Sequence, residues 1–204
     1  MKKLCLVTIS VFMLSGCACF SGNNLQQVNS LPPLTAGAKK PTLSYIFLSS
    51  YYLWGEHKDR PRVRNALESE FADVIKESGY FAKWGPGNSG DVTIEIHIVL
   101  SGNPASVIPA IITGLTLFVI PSWVSDTYIV TAKIKIRDGS EHIFQLEDST
   151  ILVQWLPMIV VPGNIFTVPV KVRKNIWKNL ILKMQQDGMF TQQSSFSQTK
   201  PLLA

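Results

Sequence analysis

The alternation of apolar and polar positions predicts strands in the middle of the chain. Residues 91–100 and 127–137 alternate with the period of two that is typical of half-buried strands. Residues 143–153 supply another apolar strand, separated from the preceding one by Asp138-Gly139, a strong signal for a tight turn. With a short strand at 43–49, the pattern predicts four strands, the last two of which form an antiparallel hairpin.

Two segments have the spacing of amphipathic helices instead. Within residues 62–81, apolar side chains recur every three or four positions, and residues 172–184 repeat this spacing. The predicted order is therefore β-α-β-β-β-α. An antiparallel sheet of about four strands with both helices on its apolar face would cover every apolar stripe, which places the domain in the α+β class.

Two apolar segments fit neither pattern. Residues 98–125 contain no Asp, Glu, Lys, Arg or His, and residues 149–170 form a second uncharged segment. Proline and glycine interrupt both, for example at Pro109 and Pro157, so neither is suited to a spanning helix. If the strands alternate in direction, both segments emerge at one end of the sheet. We call this end, with residues 98–125 and 149–170, the apolar end.

The apolar end has two possible roles. Its side chains could form a docking surface for the membrane or for a partner protein, because aromatic residues with a polar tip are common at such surfaces. Alternatively, both segments could fold back and complete the core. The candidate surface residues are Trp54, Leu117, Phe118, Trp123, Trp155, Met158 and Ile159.

The first residues carry an export signal. Lys2 and Lys3 precede an apolar run at 4–14, which is too short to span a bilayer, and the run ends in Leu14-Ser15-Gly16-Cys17. This tetrapeptide resembles the lipobox of bacterial lipoproteins. The resemblance implies cleavage before Cys17, an S-diacylglycerol group on its thiol, and an N-acyl chain such as palmitate on its amino group. Ala18 then favours the periplasmic leaflet of the outer membrane over the inner membrane.

Composition divides the rest of the chain. After a signal peptide at 1–16, residues 17–41 are mostly polar or small and predict a lipidated flexible tether, with a span of roughly 25–30 Å as a coil. Residues 42–190 are predicted to form a single α+β periplasmic domain. Residues 191–204 are predicted to be a disordered tail.

Charge and cysteine content exclude several function classes. A formal charge of +5 without a long basic run argues against nucleic-acid binding. With Cys5 removed and Cys17 acylated, Cys19 has no intramolecular disulfide partner. It is expected to remain a surface thiol, and the alternative is a cross-link to a neighbouring copy. The sequence contains no metal-site spacing and no cofactor motif.

The second helix carries a row of basic residues that could meet anionic lipid headgroups or form an ordinary solvated face. These residues are Lys171, Arg173, Lys174, Lys178 and Lys183.

The sequence thus favours a non-enzymatic, lipid-anchored envelope protein. It would be held in the membrane by acylated Cys17 and would dock to membrane or to an envelope protein through the apolar end. The alternative is an envelope enzyme, or an inhibitor of one, that uses the polar sheet face around Glu95, His97 and Lys133.

Overall fold

A computed structural model describes residues 17–34, 37–38, 40–53, 56–58, 61–160 and 164–190. The predicted signal peptide at 1–16, the predicted tail at 191–204 and Trp54 lie outside the described residues.

Within these residues the chain forms one mixed sheet and three α-helices. The strands are β1 (Cys17–Ser21), β2 (Thr42–Leu53), β3 (Glu56–Lys58), β4 (Lys83–Pro86), β5 (Val92–Gly102), β6 (Ser122–Ile136) and β7 (Glu141–Gln154). The helices are α1 (Pro61–Ser78), α2 (Val107–Leu115) and α3 (Thr167–Gln186). Six strands follow the order β1-β7-β6-β5-β2-β3, and β4 pairs with β2.

The α+β class is confirmed, and the details of the predicted sheet are wrong in two respects. The described sheet has seven strands rather than about four, and β2 pairs in parallel with both β5 and β4. The parallel pairing has a simple cause. Helix α1 carries the chain back along the sheet between β2 and β5, and such a crossover places the two strands in the same direction. The short helix α2 was also not predicted.

The core lies between one face of the sheet and helices α1 and α3. Fully buried isoleucines on β5 face Phe71 of α1 and Trp177 of α3, and both aromatic residues are 0% exposed. The rings of Phe71 and Trp177 meet edge to face with their centroids 5.4 Å apart, and Phe47 of β2 lies 5.9 Å from Trp177. The opposite face of the sheet carries no helix of this size among the described residues.

An ion pair joins the two long helices. Arg173 of α3 donates to both carboxylate oxygens of Glu70 on α1, at 2.8 and 2.7 Å, and lies over the ring of Tyr128. Both charged side chains are only about one-sixth exposed, at 16% and 15%. Arg173 is therefore part of the helix interface. The prediction that it belongs to a solvated or lipid-facing basic row is wrong.

The flexible tether that the sequence predicts for residues 17–41 is wrong over residues 17–34, which are ordered. Strand β1 pairs antiparallel with β7 over five residues, and Ala18 and Cys19 are buried. At 3% exposure, Cys19 is not a surface thiol. The chain then runs along α3 as residues 22–34, which we call the strap.

Two buried asparagines of α3 hold the strap. The amide oxygen of Asn175 accepts the N–H of Val28 at 2.8 Å, and the amide nitrogens of Asn175 and Asn179 donate to the carbonyl of Gln26 at 3.1 and 2.9 Å. Apolar side chains of the strap also pack against the core. The polar composition that predicts a coil is compatible with order here because the backbone groups find partners on the helix.

Candidate docking surface

The strand directions bring several element ends together. Cys17 at the start of β1 lies opposite Gln154 at the end of β7, which lies opposite Ser122 at the start of β6. Strands β2 and β5 end beside each other, with Tyr52 opposite Ser101. The prediction that residues 98–125 and 149–170 emerge at one end of the sheet is therefore confirmed, and the start of β1 lies there as well.

Helix α2 and the turn after it form the most apolar part of this end. Thr113 is the one residue of α2 that is buried, so the helix presents its isoleucines and leucines outward. Leu115 is 80% exposed. The exposed apolar residues of this segment are Val107, Ile108, Ile111, Ile112, Leu115, Leu117, Val119 and Ile120.

The turn that follows α2 has an unusual backbone. Leu117 and Phe118 adopt left-handed conformations, with φ of 52° and 65°. Such a conformation costs a residue with a side chain about 1–2 kcal/mol. Phe118 donates its N–H to the carbonyl of Thr113 at 2.8 Å and accepts the N–H of Leu156 at 2.7 Å. These bonds hold the strained turn and connect the first apolar segment to the second.

The second segment adds aromatic side chains. Trp155 is 38% exposed and Leu156 41% exposed, and they join Trp123 of the first segment, which lies on β6 and is 67% exposed. Phe166, which directly precedes α3, is 81% exposed. An exposed apolar surface of this kind usually marks a site of protein or membrane interaction.

The structure describes the side chains of five of the seven predicted surface residues. Leu117, Trp123 and Trp155 are exposed, whereas Phe118 and Met158 are half-buried. Trp54 and the side chain of Ile159 lie outside the described residues.

Sequence reasoning did not single out the two most exposed large apolar side chains of the described residues, which are Leu115 and Phe166. The signal for Leu115 was the sequence of α2 itself, Val107–Leu115, which is apolar on all sides and has no polar face to turn to water. None of the described helices is both long enough and apolar enough to cross a membrane.

Cys17 lies half-buried at the edge of this surface. Burial raises the pKa of its thiol above the usual value, so the unmodified side chain would remain protonated near neutral pH.

The polar sheet face brings only part of the alternative site together. Glu95 lies opposite Lys133 in the β5–β6 register, and both border a shallow depression of about 410 Å³ with Lys135 and Arg137. Lys133 is ion-paired with Glu141 on β7. His97 does not line the depression, and its Nε2 lies 3.4 Å from the hydroxyl of Ser50.

In the described part of the chain, no group of three or more His, Cys, Asp and Glu side chains is arranged so that it could hold a metal ion. The depression on the polar face is thus bordered by one acidic side chain and three basic ones.

Comparisons with known proteins give little further information. No family model matches the chain, and no curated protein matches it. Among solved structures, it is similar to a Xanthomonas campestris protein of the family DUF330, with 11% identity over 81% of this chain and 96% of that one and a TM-score of 0.41. It is also similar to a PelC dodecamer from Paraburkholderia phytofirmans, with 11% identity over 83% and 97% of the two chains and a TM-score of 0.34. Similarity this low supports no transfer of function.

Proposed function

We propose that this chain is a lipid-anchored cell-envelope protein without enzymatic activity, which docks through its apolar end to the membrane or to an envelope protein. The observation that carries the proposal is the concentration of exposed apolar side chains at the end of the sheet where Cys17 begins the first strand. The anchor itself rests on the resemblance of residues 14–17 to a lipobox.

Covering this end would release substantial free energy. Burial of a leucine, isoleucine or phenylalanine side chain contributes about 1.5–3 kcal/mol relative to full exposure. Leu115, Leu117, Trp123 and Phe166 are each more than half exposed, and further apolar residues surround them. Several such contributions together are comparable to the entropic cost of association, about 4–15 kcal/mol. A docking partner is therefore energetically reasonable.

Cell fractionation of wild type and Cys17→Ala tests the anchor. We expect wild type in the outer-membrane fraction, because two or three acyl chains anchor a protein stably, and a smaller share of the variant in that fraction. If both proteins remain equally membrane-bound, lipidation does not hold the protein there.

Site-specific photo-cross-linking in intact cells tests docking. A photoreactive residue at Leu117 should be captured in a defined product, whether lipid or protein. The same residue at Trp84 on β4 is a matched control, because Trp84 is exposed but lies at the other end of the sheet, opposite Leu43. Equal cross-linking at both positions, or none at Leu117, would contradict docking through the apolar end.

The second candidate is an envelope enzyme, or an enzyme inhibitor, that uses the polar sheet face. The observation in its favour is the depression in which Glu95 lies opposite Lys133. Variants Glu95→Gln and Lys133→Met test it in a strain that lacks the protein. If both variants restore the wild-type properties of the envelope in that strain as well as the unmutated protein does, the polar face is not the functional site.

A further inference from the structure

We propose that the partner of the apolar end is the lipid leaflet that receives the acyl chains of Cys17, so that the sheet stands on its apolar end in that leaflet. This inference rests on the proposed function and adds the identity of the partner and the orientation of the domain. Three features of the described residues support it. They are the position of Cys17, the ordered structure of the residues that follow it, and the charges that border the apolar end.

The first feature is where the acyl chains would leave the protein. Cys17 lies opposite Gln154, only two positions before Leu156 of the second apolar segment. Leu156 in turn is hydrogen-bonded to Phe118 of the first segment. The acyl chains and the exposed apolar side chains therefore lie at the same end of the sheet. A leaflet covers both together, whereas a protein partner would have to share this space with the lipid anchor.

The second feature is the absence of a tether over residues 17–34. Strand β1 is paired with β7 from Cys17 onward, and the strap behind it is held by Asn175 and Asn179. A flexible linker of this length would allow the domain to stand off the membrane in any orientation. With β1 in the sheet, an acylated Cys17 brings the apolar end to the lipid surface directly.

The third feature is the arrangement of charge. Both long helices begin at the apolar end, and neither has an acidic residue in its first turn. Arg62 in the first turn of α1 and Lys171 in α3 are exposed. Lys171 follows Phe166 by five residues, or roughly 7–8 Å along the helix axis. Apolar side chains buried about 5–10 Å into the interface would place this lysine among the headgroups.

Quenching of tryptophan fluorescence by brominated lipids tests the proposal. The full lipidated protein is reconstituted into vesicles of phosphatidylethanolamine and phosphatidylglycerol with bromine on the acyl chains. Wild type is compared with Trp123→Phe and with Trp84→Phe, while the buried Trp177 is left in place so that the core stays intact. Circular dichroism of each variant checks that the fold is retained.

We expect bromine-dependent quenching in wild type, loss of a large share of it in Trp123→Phe, and no change in Trp84→Phe. Trp123 is 67% exposed at the apolar end and Trp84 is 39% exposed at the opposite end, so only the former should reach the acyl chains. Absence of quenching, or equal loss in the two variants, would overturn the leaflet as the partner.

This result is separable from the proposed function. If Trp123 is not quenched but Leu117 still cross-links to a protein in cells, docking through the apolar end holds and the leaflet is the wrong partner. If neither signal appears, both proposals fail.

The headgroup contact has its own measurement in the same vesicles. Replacing phosphatidylglycerol with an uncharged lipid should weaken the quenching of wild type, and Lys171→Glu should weaken it in the presence of phosphatidylglycerol. Lys183→Glu, in the last turn of the same helix, is the matched control and should leave quenching unchanged. Equal effects of the two lysine variants would overturn the assignment of Lys171 to the headgroup layer.

Discussion

The two ends of the sheet differ in how they meet their surroundings. At the end opposite the apolar end, the carboxylate of Asp91 accepts hydrogen bonds from the N–H and hydroxyl of Thr42, at 2.9 and 2.7 Å, and from Arg137 at 3.2 Å. In the adjacent turn, Asp138 accepts two bonds from Ser140. We call this the polar end. Its charges and turn residues suit contact with water.

At the apolar end, residues 98–125 contain no charged residue. This segment therefore cannot form charged hydrogen bonds like those of Asp91 and Asp138 at the polar end. Its turn places Leu117 and Phe118, rather than glycine, in left-handed conformations, whereas the turn at the polar end has Gly139 at φ 92°. One sheet thus has one end suited to water and one end suited to an apolar environment. The exposed side chains of the apolar end contribute little to the core, so they can be changed with little effect on folding.

The largest expected effect is on membrane affinity. In the mature chain from residue 17 onward carrying Cys17→Ala, Leu115→Glu should lower binding to vesicles by about 10- to 100-fold, because at least the burial energy of one leucine is lost. Stability should change by only about 0.5 kcal/mol or less, since Leu115 is 80% exposed. Vesicle co-sedimentation and urea unfolding measure the two quantities. Ile143→Glu is the control, at 65% exposure on β7 near the polar end, and should not change binding.

The next effect concerns the strap that keeps Cys17 at the apolar end. Asn175→Ala leaves the buried N–H of Val28 without its acceptor, which should cost about 1–3 kcal/mol in the free energy of unfolding. Hydrogen exchange should also accelerate at Val28. Asn179→Ala should cost less, because Gln26 keeps its bond from Asn175. Equal stability of wild type and Asn175→Ala would show that the strap is not held in this way.

A smaller effect is expected at the strained turn. Leu117→Gly should stabilise the fold by about 0.5–1 kcal/mol, because glycine adopts a left-handed conformation without the penalty that leucine incurs. Leu115→Gly, two residues earlier at the end of α2, is the matched control and should destabilise by a similar amount. Thermal unfolding distinguishes the variants, and destabilisation by Leu117→Gly would contradict the assigned strain.

The smallest effect is expected at the polar end and depends on pH. Hydrogen bonds from Thr42, and then the neighbouring Arg137, hold the pKa of Asp91 below its usual value. Its carboxylate therefore stabilises the fold above the unfolded-state pKa of about 3.9, and the contribution is lost as the pH falls through the lowered folded-state pKa. Asp91→Asn should be less stable than wild type near neutral pH, and the difference should close in acid.

Urea unfolding across this pH range measures the effect of Asp91→Asn. Thr42→Val, which removes the hydroxyl donor, should reduce the pH dependence in the same direction. A difference between wild type and Asp91→Asn that is constant with pH would contradict this account.

Local patterns in the sequence were sufficient for the elements that depend on near neighbours. The periodicity of α1 and α3 and the Asp138-Gly139 turn between β6 and β7 predict structures that form within short stretches of chain. Strand β1 and the strap could not be predicted in this way, because their partners lie far away. Cys17 pairs with Gln154, and Val28 bonds to Asn175, which is 147 residues later in the chain.

One signal for the strap was nevertheless present. Asn175 and Asn179 interrupt the apolar stripe of α3 on its buried face, and a buried amide requires hydrogen-bond partners. For the candidate surface, the aromatic character of Trp123 and Trp155 predicted both as surface residues. Their exposure, and that of Leu115, depends on whether the segment packs back on the core, and this is decided by tertiary structure rather than by pattern.

The pairing of β1 with β7 has a mechanical consequence. If Cys17 is anchored and the domain is pulled away from the membrane, the force acts along β1 and loads its hydrogen bonds to β7 in shear. Bonds perpendicular to the strand then resist together, whereas peeling would break them one at a time. The anchored chain should accordingly transmit tension into the edge of its sheet, with the five-residue β1–β7 ladder as the first element to resist it.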